Sequence, residues 1–182
     1  MQFKLSRNII VITVLMLSIL ACNAANLTQP SQDVPPAVAQ EQPNATEIPI
    51  ITPYDEKAVP QDDIDAALRL AKGDGKLVLL DFGANWCVDC IVLATLFEDP
   101  SVKPYLDENF YVVHIDVGYW DKNLDTSQLY DNPIEKGIPA VVILTGNGQT
   151  IATTKNGALA NASKATASEI LGYLKGWVAK KP

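Results

Sequence analysis

Two cysteines with two residues between them, Cys87-Val88-Asp89-Cys90, sit where an apolar run meets a helical pattern, and they constrain this 182-residue chain more than any other feature. The run Leu77 to Phe82 is apolar apart from Asp81. Such a run fits a strand buried on both faces, in the middle of an α/β sheet. Gly83 and Asn85 then suit a turn. Beyond it, Val88, Ile91, Val92 and Leu96 recur at helical spacing and predict one apolar helix face. A buried strand is thus expected to deliver both cysteines to the first turn of a helix.

That position has chemical consequences. A helix N-terminus presents unpaired backbone N–H groups and a partial positive charge. Both favour a thiolate, the species that attacks disulfides. Cys87, nearest the helix start, reads as the nucleophile. Cys90, three residues on, reads as the thiol that resolves the mixed disulfide. Other readings fit less well. A structural zinc site wants four ligands, and the chain holds only Cys22 and His114 besides the pair. A c-type haem site needs histidine directly after the second cysteine, where Ile91 stands. A purely structural bridge across so short a loop constrains the unfolded chain little.

The pattern Asp81-Phe82-x-Ala84-x-Trp86-Cys87-x-x-Cys90 resembles the thioredoxin superfamily. It is most similar to the C-terminal domain of the transmembrane thiol:disulfide interchange reductases and to exported thioredoxin-like proteins. A second match, Gly137-Ile138-Pro139-Ala140, precedes the apolar strand Val141 to Leu144. The resemblance spans roughly Ile64 to Val178. It implies a three-layer α/β/α sandwich with a central mixed sheet, and a cis Pro139 facing the cysteines. It also implies substrate contacts at Trp86, Ile138 and Pro139. For Asp81 it implies a place beneath Cys90, acting as general base when Cys90 attacks. The alternative for Asp81 is a structural acid at a strand end, since a buried carboxylate is costly unless paired. Two positions depart from thioredoxin itself. Val88-Asp89 stands for Gly-Pro, and Ile91 for a basic residue. The charge of Asp89 disfavours strongly oxidising character and suggests a reducing protein.

The N-terminus is a separate device. Lys4 and Arg7 precede a 13-residue, mainly apolar stretch, Ile9 to Ala21, too short for an ordinary membrane span and suited to a signal peptide. Its end, Leu20-Ala21-Cys22, resembles the lipobox of bacterial lipoproteins. Residues 1–21 are therefore expected to be removed and Cys22 lipidated; an ordinary signal peptide with an incidental cysteine is the alternative. Asn23 leaves the choice of inner or outer membrane open. Residues 22–60 hold seven of the twelve prolines and little apolar bulk, and are expected to form a disordered tether. Residues 61–182 form the expected domain. Lipidation of Cys22 would leave the pair as the remaining cysteines.

Within that domain, Asp62 and Asp63 are expected to cap a first helix, and Gly73 and Gly75 to end it. Phe110 to Val117 is β-branched and aromatic, hence a strand. It carries the single histidine, His114, which reads as a half-buried spacer. Residues 118–136 are polar but carry Tyr119, Trp120 and Tyr130, as a partner-binding rim or as cover for a core edge. Thr145-Gly-Asn-Gly148 signals a hairpin. A last helix is expected from Ser163, with Ile170, Leu171, Leu174, Trp177 and Val178 on one stripe.

Net charge is −7, and falls to −9 without the two basic residues of the leader. This argues against nucleic acid as a partner. The expected chemistry calls for no cofactor and no metal. Its expected partners are disulfide-bearing exported proteins, a membrane electron donor, and the membrane itself through the lipid; the chain is expected to be a monomer. The competing functions are a thioredoxin-like copper(I) carrier using the two thiolates, and a disulfide oxidase or isomerase.

Overall fold

The computed structural model describes residues 51–182. The signal peptide, Cys22 and the tether up to residue 50 lie outside the described residues. The elements run α1 (Pro60–Asp74), β1 (Leu77–Gly83), α2 (Val88–Phe97), α3 (Lys103–Asn109), β2 (Phe110–Asp116), α4 (Leu124–Leu129), β3 (Ala140–Leu144), β4 (Thr150–Thr153) and α5 (Ala167–Val178). Two 3-10 turns occupy Pro133–Lys136 and Ala162–Lys164.

The four strands form one sheet in the order β2-β1-β3-β4. β1 pairs parallel with β2 and antiparallel with β3, and β3 pairs antiparallel with β4. The mixed sheet of the expected three-layer fold is therefore present. All seven β1 residues are buried, because both its neighbours are strands and both its faces are covered.

Side chains alternate across a strand, and the two faces build two cores. Val78, Leu80 and Phe82 pack with Ile64, Ala67 and Ala71 of α1. Leu77 and Leu79 pack with Leu93 and Phe97 of α2, Leu106 of α3, and Ile170, Leu174 and Trp177 of α5. By the same alternation Asp81 shares the α2 face with Leu77 and Leu79. Phe110, on β2, belongs to that second core as well, which places His114 on the same face as Asp81.

Several local expectations need correction. The cap of α1 is Val59, followed by Pro60 at the first helical position, and Asp62 and Asp63 lie in the first turn without a side-chain cap bond. Proline's fixed φ suits that opening position. Gly73 stays within the helix, and Gly75 ends it with φ +78°. On α2 the buried residues are Cys90, Leu93, Ala94 and Phe97. Val88, expected on the buried face, is 70% exposed. Helix α5 starts at Ala167, where Thr166 and Glu169 form a reciprocal capping box, and Ser163 belongs to the preceding 3-10 turn. Finally, the chain is packed against the domain before residue 61: Tyr54, expected in the tether, is 1% exposed.

Candidate active site

The turn after β1 is tied on both sides. The Cys87 amide donates to the Ala84 carbonyl at 3.1 Å. The Asn85 side chain clamps the backbone of Tyr54, accepting from its N–H at 3.2 Å and donating to its carbonyl at 2.7 Å. Cys87 then caps α2, its Sγ accepting from the Cys90 amide at 3.2 Å. The cap residue of this helix is thus a sulfur, held where backbone N–H groups converge.

Cys87 and Cys90 are joined by a disulfide, with Cα atoms 5.2 Å apart. Cys87 is 7% exposed and Cys90 is fully buried. The Ile138 carbonyl oxygen lies 3.8 Å from Cys87 Sγ. A disulfide sulfur carries no proton, so this is a contact and not a hydrogen bond in the oxidised state. The Ile138–Pro139 bond is cis, and both residues are buried. The structure therefore brings together Cys87, Cys90 and Ile138, with Pro139 next along the chain.

Trp86 stands at the open edge. Its indole N–H donates to the Gly118 carbonyl at 2.8 Å, and its ring stacks on Tyr119 at 5.6 Å between centroids and 7° between planes. Both rings are exposed. The three aromatics of the 118–136 segment divide: Tyr119 and Trp120 face solvent, whereas Tyr130 packs against the core of the α1 face. Asp89 reaches the other way, its Oδ1 accepting from the Ser163 amide at 2.8 Å.

Beneath α2 lies the carboxylate. Asp81 is fully buried. One oxygen, Oδ2, meets two partners: the Tyr54 hydroxyl donates to it at 2.8 Å, and His114 Nδ1 lies 2.9 Å away. The other oxygen, Oδ1, is buried and has no hydrogen-bond partner among the described residues. Tyr54 and His114 also meet edge to face, 5.5 Å between centroids. Burial, and then the adjacent Asp81 charge, push the Tyr54 phenol well above its usual range, so it remains a donor. Tyr54 fits here because Gly83 has no side chain; a Cβ there would overlap the phenol ring.

Neither partner of Asp81 stands out in the sequence. His114 was legible in one respect: Leu77 pairs with Phe110 in parallel, so equal counting along both strands sets Asp81 opposite His114. Tyr54 carries no such signal, because it comes from irregular chain rich in proline. Lys122 marks a second buried acid, Asp116, with Nζ 3.2 Å from Oδ2. Asp116 also accepts from the Gly118 amide at 3.1 Å, so it holds the segment on which Trp86 rests. Among the described residues no group of three His, Cys, Asp or Glu is arranged to hold a metal.

Comparison with known proteins gives a consistent result. Residues 59–146 match a family described as Thioredoxin-like. A thioredoxin from Buchnera aphidicola is 37% identical over 101 residues, covering 55% of this chain and 81% of that protein. A thioredoxin H-type from Oryza sativa subsp. indica is 40% identical over 43 residues, 24% of this chain and 35% of that protein. The crystal structure of a disulphide isomerase from Xylella fastidiosa Temecula1 superposes with a TM-score of 0.68 at 41% identity, covering 69% of this chain and 96% of that one. With its Cys-x-x-Cys pair bridged at the start of α2, the chain belongs to the thioredoxin superfamily, whose members of this kind imply thiol–disulfide oxidoreductase activity.

Proposed function

We propose that this protein reduces disulfides in exported partner proteins while held at a bacterial membrane by a lipid on Cys22. The observation that supports the exchange chemistry is the asymmetry of the pair: Cys87 caps the helix and keeps 7% exposure, whereas Cys90 is fully buried.

In the reduced protein, Cys87 thiolate attacks a partner disulfide. A Cys87–partner S–S bond forms, and the other partner sulfur leaves as a thiolate that takes a proton from water. Cys90 then loses its proton to Asp81 and attacks Cys87 sulfur. The Cys87–Cys90 bond forms, the mixed disulfide breaks, and the second partner thiolate leaves. The partner gains two electrons and the pair loses them, so a dithiol donor must restore it; a membrane electron donor supplies that role. The carbonyl of Ile138 and the adjacent Pro139 line the approach to Cys87, and Trp86 forms its edge. Residues 1–21 are read as the leader, and the chain between Cys22 and the domain as the tether. Among the described residues no helix is long and apolar enough to cross a membrane.

Turnover of insulin with dithiothreitol tests the reading. Catalysed precipitation that vanishes in Cys87→Ser supports it; none in the unaltered protein sinks it. Incorporation of labelled palmitate, lost in Cys22→Ser, tests the anchor. The relative from Xylella fastidiosa, described as a disulphide isomerase, favours isomerisation as the second reading. A measured reduction potential separates the two: a value near about −270 mV fits a reductase and one near about −180 mV an isomerase.

A further inference from the structure

The proton that Asp81 takes from Cys90 has to leave a carboxyl group with no solvent access of its own, and its neighbour His114 offers a polar route out. His114 Nδ1 touches Asp81 Oδ2 at 2.9 Å, and its side chain is 27% exposed where Asp81 is 0%. The Tyr54 hydroxyl shares Oδ2. Its phenol holds its proton, so it can fix the carboxyl group but cannot drain it. Oδ1 is left without a partner.

We infer that His114 is the proton relay between Asp81 and solvent, and that Tyr54 is the positioning residue that fixes the Asp81 carboxyl group through Oδ2. The inference rests on the exchange reaction proposed above and names a further residue for it. The Cys90 proton passes to Asp81 as its sulfur attacks Cys87. The carboxyl group hands a proton on to His114 Nδ1, and the ring gives one up to water at Nε2. One proton enters at Asp81 and one leaves at His114. Reduction of the disulfide runs the same path backwards.

Other ionisable groups near the ring do not substitute for Asp81. Tyr54 touches it, and Asp116 acts on Tyr54 from the end of β2. The grooves that His114 lines also carry Asp55, Asp63, Lys76, Glu98, Lys103 and Asp107. These mix both signs, and none forms a hydrogen bond to the ring among the described residues.

The test is stopped-flow reaction of the prereduced full chain, carrying Cys22→Ser in every arm, with dithiobis(nitrobenzoate). Attack by Cys87 releases one coloured thiolate, and resolution by Cys90 releases a second. In His114→Asn, which keeps a donor towards Asp81 but carries no proton, the first phase stays within about twofold. The second slows at least about tenfold, a modest part of the about 10²–10⁴-fold that acid–base groups supply. In His114→Ala, added imidazole restores the second phase, which a purely structural role for the ring does not allow. A second phase unchanged in both variants, or both phases slowed alike without imidazole rescue, overturns the relay. If the unaltered protein releases no second thiolate while Cys87 still reacts, the exchange reading and the relay fail together. An unaltered protein with two phases and insensitive His114 variants sinks the relay alone.

Discussion

The upper and lower sides of the α2 start are built differently. Above, Cys87 is positioned by main chain: a cap geometry, a turn bonded to the Ala84 carbonyl, and the Ile138 carbonyl opposite. Below, Asp81 of β1 is positioned by side chains that come from two separate parts of the sequence, β2 and the chain before α1. Backbone-made sites depend on the fold as a whole. Side-chain-made sites depend on each partner, since a buried polar group left unpaired costs about 1–3 kcal/mol. The sulfur side should therefore tolerate changes around it and fail only at the sulfurs. The carboxylate side should respond to every contact.

The largest effect falls at the sulfur itself. Cys87→Ser removes insulin turnover to background, and Cys90→Ser accumulates partners as mixed disulfides seen on non-reducing gels. Residual turnover in Cys87→Ser would break the comparison at its upper half. Next comes the acid. Asp81→Asn keeps hydrogen bonding but not proton uptake, so resolution slows by about 10²-fold, the low end for an acid–base group; rates of the second thiolate release measure it.

A glycine then sharpens the lower half. Gly83→Ala drives a methyl into the Tyr54 ring, and overpacking of this kind costs about 1–3 kcal/mol, read from urea unfolding. Tyr54→Phe keeps the ring and loses only the donor to Asp81. Since hydrogen bonds to charged groups contribute about 1.5–3 kcal/mol, a loss inside that range is expected, and no loss would show that Asp81 does not need its second partner. Smallest is Tyr119→Ala at the rim. This exposed ring contributes to stability within about 0.5 kcal/mol, while KM for a protein disulfide rises and kcat stays.

Legibility in the sequence follows the same division. The strand–turn–helix carrying the cysteines, the β3–β4 hairpin and the run of β2 could be read from period and composition, because each is local. The buried face of α2 could not. That helix is apolar nearly all round, so spacing offers several stripes, and only the sheet beneath selects Cys90, Leu93, Ala94 and Phe97. The stripe expected instead leaves Val88 at the surface beside Cys87. The same limit hid the surroundings of Asp81. Its burial and its need for partners were legible; their identity required the register of β1 on β2 and a fold-back of proline-rich chain. Composition places Tyr54 in the tether, yet its buried ring, its hydroxyl and the Asn85 clamp tie that segment to the domain.

The bond from Asp89 to the Ser163 amide reaches beyond its own neighbourhood. It makes one residue of the inter-cysteine dipeptide a mooring point for the loop that leads into α5. Drift at position 89 would therefore alter the electrical surroundings of the sulfurs and slacken that mooring in a single substitution. In this chain, the evolution of redox character and the evolution of loop anchorage are yoked to the same codon.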